Sequence, residues 1–448
     1  MSGMAVLASL SIPAPAVAAV RSRRPPAPTA VLATSWDRDP WARGAYSALP
    51  PGVSPSVRRT IADAVIGDRI VLAGEYASLG APATTQGAYG SGRSAARRLL
   101  DVRDPASVIV IGAGMAGSAA ARLLADEGVD VTVLEARDRV GGRIHADRSW
   151  GAPVEMGAAW IHGMTGNPMV ALAEGQGLGL VRTDYDDEVV RDTLTGRPSP
   201  QGVVARTRVG DLVGTLERGG GDTSTSVAEW MRGRGWRPDR LGAWAADVEI
   251  TQEYGLGPAS LGVRAVQEGD DLRGPDALVA GGYARIPESL LAGIEVRFST
   301  PVTSVVADGS QATVATAAGA LAADAVVVAV PLALLQRGMP RIEPLPAPLR
   351  RAISSLRTGV LEKVILRYDA EWWDDVDMIG VIGGGAAGAP SGSLAALRWT
   401  EFFPLTQVLG FPALVGFSAA AAAQARPRSA EGCGREAVAM LAAAFSNG

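Results

Sequence analysis

Residues 108–117 read VIVIGAGMAG, a short apolar run that leads directly into a glycine-rich turn. Four consecutive apolar residues are typical of a strand that is buried on both faces of a parallel sheet. Small and apolar residues follow up to Gly128, where a helix is expected to end, and residues 129–134 predict a second strand. The order strand, turn, helix, strand predicts an α/β fold with a Rossmann-type sheet.

The glycines of this turn fit a dinucleotide-binding site. Gly112 permits the tight turn, Gly114 lets a pyrophosphate approach the backbone, and Gly117 lets the helix pack closely on the strand. Ala116 belongs to the helix N-terminus, whose unpaired N–H groups attract phosphates. Glu135, at the end of the second strand, can accept a hydrogen bond from a ribose hydroxyl. We therefore expect these five residues to bind a dinucleotide cofactor.

Residues 137–143 read RDRVGGR and follow Glu135 almost directly. Arg137 and Arg143 flank a second glycine pair, which offers another anion-binding turn for a long cofactor. Together with residues 134–136 (LEA), this stretch closely resembles the signature of the flavin-containing amine oxidase family. That family includes monoamine oxidases, polyamine oxidases and flavin-dependent histone lysine demethylases. The resemblance implies that the cofactor is FAD.

Further stretches extend the resemblance over nearly the whole chain. Residues 157–163 (GAAWIHG) are similar to the polyamine oxidase branch, and residues 301–303 (PVT) resemble a strand in the middle of the family's FAD-binding region. The resemblance implies that Ala159, Trp160 and Val302 contact the cofactor.

Three side chains are implied by the resemblance to be catalytic. Residues 360–364 (VLEKV) resemble the family's lysine-bearing strand, and Lys363 would hold a water molecule against the flavin N5 atom. Tyr46 resembles one wall of an aromatic cage, and His162 lies where polyamine oxidases place a histidine near the substrate. From the residues alone, each side chain also has an interpretation without a catalytic role: Lys363 as a surface lysine, Tyr46 as a half-buried tyrosine and His162 as a hydrogen-bonded structural histidine.

Two departures from the family pattern affect the expected chemistry. Ala45 stands where monoamine oxidases carry the cysteine that bonds the flavin, so we expect FAD to be bound non-covalently. Thr84 takes the position of the second aromatic cage wall. This substitution argues against a monoamine oxidase and predicts a wider cavity.

The order of the segments differs from that of the family. Residues 69–100, which contain Glu75, Thr84 and Thr85, resemble the family's last FAD-binding segment, and residues 36–47 resemble the segment just before it. In the family both segments follow everything else, whereas here they precede the Rossmann strand. We interpret the order as a circular permutation, which is tolerable where chain ends lie close together. The alternative is that residues 1–100 are a relic or complement a second chain.

We expect two interleaved lobes, a Rossmann-type FAD-binding lobe and an α+β substrate lobe. The predicted boundaries give an apolar and Pro-rich N-terminal segment (1–29), FAD-binding stretches at 30–175 (a permuted part, 30–100, and a Rossmann part, 106–175) and 276–348, and substrate-lobe stretches at 176–275 and 349–448. Glu268, Asp270 and Asp271 form an acidic patch, interpreted as solvated surface or as an entrance that attracts a polycation.

Composition excludes several classes of partner. The 448 residues include 42 basic and 46 acidic side chains, so no large positive field favours nucleic acid or an anionic membrane. One cysteine, Cys433, cannot form an internal disulfide, and two histidines cannot build the usual zinc sites, so no metal is expected. Residues 1–20 are apolar but lack a basic start. We expect a cytoplasmic protein, with export as the alternative.

The sequence predicts an FAD-dependent oxidase that converts an amine, preferably a polyamine-like one, to an imine. Molecular oxygen would be the electron acceptor and hydrogen peroxide a product, and the protein would act as a monomer or homodimer. An L-amino-acid oxidase or a biosynthetic desaturase on the same fold is the first alternative. A flavin-binding scaffold without turnover is the second, because fold resemblance alone does not settle the reaction.

Overall fold

The computed structural model describes residues 25–269, 273–383 and 398–447, and it shows a mixed α/β fold with several sheets. The strands are β1 (Ala30–Ala33), β2 (Ser47–Ala48), β3 (Val65–Ile66), β4 (Ile70–Leu72), β5 (Ser107–Ile111), β6 (Asp130–Leu134), β7 (Ala146–Asp147), β8 (Val154–Glu155), β9 (Trp160–Ile161), β10 (Gly179–Thr183), β11 (Glu188–Asp192), β12 (Arg197–Pro198), β13 (Asp276–Ala280), β14 (Glu295–Arg297), β15 (Val302–Asp308), β16 (Gln311–Thr316), β17 (Gly319–Ala323), β18 (Ala325–Val328), β19 (Arg341–Glu343), β20 (Arg357–Thr358), β21 (Leu361–Arg367), β22 (Met378–Ile382), β23 (Glu401–Pro404) and β24 (Ala413–Ala419). The α-helices are α1 (Ser56–Ala62), α2 (Thr85–Val102), α3 (Met115–Asp126), α4 (Pro168–Gly175), α5 (Pro200–Glu217), α6 (Val227–Arg232), α7 (Arg240–Ala246), α8 (Gln252–Tyr254), α9 (Val263–Val266), α10 (Arg285–Leu290), α11 (Leu332–Leu335), α12 (Ala347–Ser355), α13 (Thr406–Leu409), α14 (Ala420–Gln424) and α15 (Ala430–Ala444). In these parts of the chain, no helix has the length and apolar character needed to cross a membrane.

The glycine-rich turn lies on a six-stranded sheet with the order β14-β6-β5-β18-β4-β3. β5 pairs in parallel with both β6 and β18, so it is a central strand, and Val108 and Val110 are fully buried. A strand covered on both faces needs apolar side chains on both, which is why it appears as a continuous apolar run. α3 connects β5 to β6 in the predicted order.

A strand from before the glycine-rich turn extends this sheet. β4 pairs in parallel with β18, with Val71 opposite Val327. α2 follows β4 and packs on α3 so closely that a Cβ built on Gly92 would lie 2.0 Å from the carbonyl oxygen of Ala116. Residues 70–102 therefore contribute both a strand and a covering helix to the sheet that carries the glycines.

A second, seven-stranded sheet has the order β1-β21-β24-β23-β22-β11-β12. Its back face packs on α15, where Val364 and Leu366 share a cluster with Cys433. Its front face carries a different apolar cluster that includes Ile365 and Phe417. The two faces alternate along each strand, as expected for a sheet covered on both sides.

Two pairings cross the boundaries predicted from the sequence. β1, which was assigned to the FAD-binding stretch 30–175, hydrogen-bonds to β21 of the seven-stranded sheet, with Ala33 opposite Val364. β13 belongs to the predicted stretch 276–348 but pairs with β10, which lies in the stretch 176–275. Sequence position alone does not identify such pairings, because strands far apart in the chain meet only in the folded molecule.

The interpretation of Glu268 as solvated surface is wrong. Both of its carboxylate oxygens accept hydrogen bonds from Arg58, each at 2.7 Å, and the Glu268 side chain is only 7% exposed. Burial raises the pKa of Glu268 although Arg58 opposes the shift. A neutralised and buried carboxylate does not attract a polycation at an entrance. Residues 1–24, Asp270 and Asp271 lie outside the described residues.

We predict that Gly92→Ala destabilises the fold by about 1–3 kcal/mol, because the new methyl group would press on the backbone of α3. Gly90→Ala is the matched control, since a Cβ on the exposed Gly90 meets nothing within 4 Å. It should stabilise α2 by up to about 1 kcal/mol. Chemical denaturation of both variants measures the difference, and equal stabilities would contradict the close α2–α3 packing.

Candidate active site

Two glycine-rich turns face each other at the carboxyl end of β5. Gly114 and Gly141 form a parallel bridge, and a Cβ built on Gly142 would lie 3.5 Å from the Gly114 Cα atom. Gly112 has a φ of +102°, which favours glycine, and a Cβ on Gly117 would lie 1.9 Å from the Gly112 carbonyl oxygen. The turns form a cradle of bare backbone that larger residues would disrupt.

Helix α3 begins in this cradle with free hydrogen-bond donors. Gly114 is its N-cap and supplies no side-chain acceptor. Among the residues described, none accepts a hydrogen bond from the N–H groups of Ala116 or Gly117. Free N–H groups at the positive end of a helix dipole bind phosphate groups, so the cradle fits a pyrophosphate.

Glu135 closes one side of the cradle. Its two carboxylate oxygens accept hydrogen bonds from the N–H groups of Ala113, at 2.7 Å, and Arg137, at 2.8 Å. The Thr300 N–H donates to the Glu135 carbonyl oxygen at 2.8 Å and thereby brings Val302, the first residue of β15, to the same end of β6. The structure thus places Glu135 beside the glycines, with Val302 two residues beyond its backbone partner Thr300.

The two predicted anion-binding arginines are held by carboxylates. Arg137 donates two hydrogen bonds to Asp39, at 3.0 and 2.6 Å, and Arg143 donates to Glu75 at 3.0 Å and to the carbonyl oxygen of Ala45. Burial opposes ionisation of Asp39, but Arg137 outweighs it and lowers the pKa of that carboxyl. Contact of either arginine with a phosphate stays a prediction.

The N-terminus of α2 contains the predicted residues Thr84 and Thr85. Thr84 is the N-cap, and its hydroxyl accepts a hydrogen bond from Gly87 N–H at 3.0 Å, so its side chain is used by the helix. The Thr85 hydroxyl lies 2.7 Å from the hydroxyl of Tyr283. Both threonines therefore have structural partners in addition to any cofactor contact.

Lys363 is the only lysine in the sequence; the other basic residues are all arginines. It lies on the front face of β21, and its Nζ donates hydrogen bonds to the carbonyl oxygens of Gly157, at 2.6 Å, and Glu155, at 3.1 Å. The same nitrogen lies 5.7 Å from the ring centres of both Trp160 and Phe417. Burial lowers the pKa of Lys363, although the negative charge of Glu155 opposes the shift.

Glu155 is a residue that the sequence analysis missed. One of its carboxylate oxygens accepts the Tyr283 N–H at 2.7 Å, and the other is buried without a hydrogen bond from any residue described. Burial raises its pKa, while Tyr283 and Lys363 lower it. Glu155, Lys363 and Trp160 line a cavity of about 10 Å³, the least volume that holds one water molecule.

Trp160, which lines this cavity, belongs to an aromatic group that it forms with Tyr185, Phe403 and Phe417. The Trp160 ring lies 5.3 Å from that of Phe403 and 5.8 Å from that of Phe417, and Tyr185 packs against Phe403 at 6.0 Å. The backbone oxygen of Ala159 is bound by β13, which fixes Trp160 in place. These packed rings shield Lys363, which is 6% exposed, from bulk solvent.

His162 forms a dyad with Asp276. His162 Nδ1 lies 2.6 Å from one Asp276 oxygen, which also accepts a hydrogen bond from the Tyr185 hydroxyl at 3.2 Å; the other oxygen accepts Gly163 N–H at 2.7 Å. Burial favours the neutral imidazole, but the hydrogen bond to Asp276 and the charges of Glu253 and Asp276 outweigh it and raise the pKa of His162.

Tyr46 lies near the beginning of β21. Its hydroxyl donates to the carbonyl oxygen of Gln252, and its own carbonyl oxygen accepts the Gly359 N–H at 2.7 Å. Gln252 directly follows a short π-helix, Asp247–Thr251, a deviation from α-helix geometry that is frequent at functional sites. The described side chains include no group of three or more His, Cys, Asp or Glu suited to a metal ion.

The family model for flavin containing amine oxidoreductase matches residues 15–100 and 115–447, which is most of the chain. The chain belongs to this family. The sequence-based prediction of an FAD-dependent amine oxidoreductase is confirmed. FAD is the family's cofactor, and the glycine cradle with the free N–H groups of α3 fits its pyrophosphate.

Individual relatives agree with this assignment. The chain is 31% identical over 355 residues to a probable polyamine oxidase 4 of Arabidopsis thaliana, an alignment that covers 71% of this chain and 67% of the plant protein. It is 32% identical to polyamine oxidase 4 of rice, Oryza sativa subsp. japonica, over 62% of each chain. A solved structure of putrescine oxidase bound to putrescine is similar in fold, with a TM-score of 0.60, 22% identity, and coverage of 76% of this chain and 81% of the other.

We predict that Asp276→Asn lowers the pKa of His162, because the imidazolium loses the carboxylate charge that stabilises it. His162 would then lose its proton at a lower pH than in the unmodified protein. The sequence has only two histidines, so an NMR titration of the imidazole C–H signals is readily assigned. His145, whose pKa is lowered by burial and by Arg139, is the internal control and should not move.

Proposed function

We propose that this FAD-dependent amine oxidoreductase is an oxidase of polyamine-like amines, with molecular oxygen as the electron acceptor. The observation that carries the proposal is the single lysine, which is buried under an aromatic group and hydrogen-bonded to two backbone carbonyls. Arginine would serve equally as a permanent cation, but only lysine can lose its proton near physiological pH. The plant relatives named polyamine oxidases support the substrate class.

The reaction removes two electrons and two protons from the substrate. When bound, FAD supplies the acceptor for a hydride equivalent from the carbon beside the amine nitrogen, and oxygen then takes both electrons to form hydrogen peroxide. Trp160, Phe403 and Phe417 exclude water until the imine leaves, after which water hydrolyses it to an aldehyde and an amine. We assign His162 a hydrogen bond to the substrate amine and Tyr46 one wall of the site.

The cofactor contacts follow from the same geometry. We propose that the pyrophosphate lies on the cradle formed by Gly112, Gly114 and Gly117, with Glu135 at a ribose hydroxyl. Lys363 would hold one water molecule in the small cavity beside it. Further proposed contacts are Ala116, Arg137, Arg143, Ala159, Trp160, Val302, Glu75, Thr84 and Thr85. FAD is proposed to be bound non-covalently, because Ala45 offers no thiol.

The front face of the seven-stranded sheet favours a cationic substrate over an amino acid. An amino-acid oxidase needs an arginine that grips the substrate carboxylate from two sides. Arg206, beside the aromatic group, already pairs with Glu188 at 2.7 Å and with Glu249 at 2.6 Å. Around Glu401, the charges of Glu188, Asp247 and Glu249 are opposed by that of Arg206, and this excess of carboxylates suits an ammonium group.

We predict that spermine, spermidine or 1,4-diaminobutane bleaches the flavin absorbance under anaerobic conditions, whereas L-amino acids do not. Lys363→Met should retain FAD and slow flavin reduction or reoxidation about 10-fold or more, the range of a lost proton-transfer or positioning group. Lys363→Arg is the matched control for charge and should not restore the rate. Bleaching by amino acids alone would replace the proposal by the amino-acid oxidase alternative, and bound FAD that no amine reduces would favour a scaffold.

We also propose that residues 30–100, which include the family's last FAD-binding segment at 69–100, form a permuted part moved to the front of the chain, and that the chain forms two interleaved lobes. Three observations support the permutation. The family model matches in two separate segments, 15–100 and 115–447. β4 pairs directly with β18, and α2 packs on α3.

The permutation predicts that a rearranged chain, with residues 30–100 joined behind residue 447 by a flexible linker, binds FAD as the original does. Removal of residues 1–100 should abolish FAD binding, because the six-stranded sheet would lose β4 and the cover of α2. Bound FAD per chain, measured by absorbance after gel filtration, reports both outcomes. A truncated protein that binds FAD normally would contradict the proposal.

A further inference from the structure

Glu155 and Lys363 each have one hydrogen-bonding position left over, and both side chains line the same small cavity. An ammonium group has three N–H donors, and within the described residues Lys363 uses two of them, on the carbonyl oxygens of Glu155 and Gly157. One Glu155 carboxylate oxygen accepts the Tyr283 N–H, and the other, Oε2, is buried without a hydrogen bond from any residue described. A donor and an acceptor thus remain at one cavity of about 10 Å³.

The Glu155 carboxylate and the Lys363 ammonium interact through space. Neither carboxylate oxygen is hydrogen-bonded to Lys363 among the described contacts. Burial lowers the pKa of Lys363 and raises that of Glu155, and each charge opposes the shift of the other group. The Tyr283 N–H and the charge of Arg148 also lower the pKa of Glu155. Two groups that sense each other's charge without contact, beside a cavity that fits one water molecule, suit a water-bridged pair.

Bulk solvent has little access to this pair. Both residues are buried, and the rings of Trp160 and Phe417 have their centres 5.7 Å from the Lys363 nitrogen. A single buried charge is costly. The Glu155–Lys363 pair avoids that cost while it holds one titrating proton, because the two groups are then either both charged or both neutral. It can therefore keep a proton inside the protein without a net buried charge.

The proposed reaction needs such a proton. A hydride equivalent carries two electrons and one proton, so hydrogen peroxide requires one further proton when oxygen takes both electrons. The substrate ammonium loses one proton before it is oxidised. In sum, an ammonium ion and oxygen give an iminium ion and hydrogen peroxide. One proton must accordingly be kept between the oxidation of the amine and the reduction of oxygen.

We propose that Glu155 is a positioning residue that, together with Lys363, holds one water molecule and stores the proton that oxygen reduction consumes. The stored proton passes through this water to the forming peroxide, so that one N–H or O–H bond of the pair breaks as the peroxide O–H bond forms. The proton released by the next substrate ammonium replaces it. The inference rests on the proposed function and adds to it the residue that keeps Lys363 supplied with a proton.

The first experiment follows the protonation of Lys363 directly. Because the chain has one lysine, lysine labelled with carbon-13 at Cε gives a single side-chain NMR signal in the holoenzyme. Glu155→Gln keeps an acceptor for the Tyr283 N–H but removes the charge that stabilises the ammonium, and should lower the pKa of Lys363 by about 1 or more. Glu155→Asp retains the charge and should keep the pKa above that of Glu155→Gln.

Glu362→Gln is the matched control for this titration. Glu362 is a buried carboxylate next to Lys363 in the chain, but it is bound by Arg426 and Thr34. Its side chain belongs to the opposite face of β21, because neighbouring residues of a strand alternate between faces. We expect this variant to leave the pKa of Lys363 unchanged.

The second experiment measures the reaction of photoreduced holoenzyme with oxygen by stopped flow, which requires no amine. Glu155→Gln should slow this reaction about 10-fold or more, as for a lost proton donor. The pair supplies protons below the pKa of Lys363 and is depleted above it, so the rate should fall as pH rises through that pKa. In Glu155→Gln this fall should move to lower pH by as much as the pKa does. Glu155→Asp should restore part of the rate, and Glu362→Gln should stay within about threefold.

The flavin spectrum and melting temperature of each variant establish that it is folded, and Glu155→Asp carries the comparison if Glu155→Gln is not. The inference is overturned if loss of the Glu155 carboxylate leaves the pKa of Lys363 unchanged, if it slows the reaction with oxygen equally at every pH, or if Glu362→Gln has the same effects. An unmodified, photoreduced protein that oxygen does not oxidise, or a flavin that no amine reduces, would instead contradict the proposed function.

Discussion

The close backbone contact on both sides of α3 is the constraint on which the cofactor site depends. On one side, Gly117 brings the helix against the carbonyl oxygen of Gly112; on the other, Gly92 brings α2 against the carbonyl oxygen of Ala116. Neither contact leaves room for a Cβ atom. Because α3 is fixed from both sides, its free N–H groups are directed at a defined point beside Gly141.

Around Lys363, away from the glycine cradle, burial shifts the pKa values of the ionisable groups. Lys363, Glu155 and Glu401 lie among apolar and aromatic side chains, where each loses the hydration that favours its charged form. The pKa of the lysine falls and those of the carboxylic acids rise. Groups whose protonation states change near neutral pH are suited to handling amines, which must lose a proton before they are oxidised.

The sequence predicts the local parts of this arrangement well. The turn from Gly112 to Gly117 and the acid at Glu135 lie within one strand-helix-strand unit, so their spacing along the chain already fixes their proximity. Lys363 was predicted to be a site residue only through the resemblance to the family, because its position along the strand alone would assign it to the surface. The pairs Arg137–Asp39 and His162–Asp276 could not be predicted, because each joins residues about a hundred positions apart through pairings of the folded chain. Glu155 and Glu401 each lie on a short strand with no motif around them.

Residues 30–72, in the first part of the chain that the structure describes, enter both large sheets. β1 is hydrogen-bonded in the seven-stranded sheet and β4 in the six-stranded one, and the segment between them contains Tyr46, which is tied to Gln252. A segment that is hydrogen-bonded into both sheets resists their movement apart as rigid bodies. We therefore expect substrate to enter and product to leave by displacement of surface loops rather than by a hinge, and we expect the two sheets to unfold together as one cooperative unit.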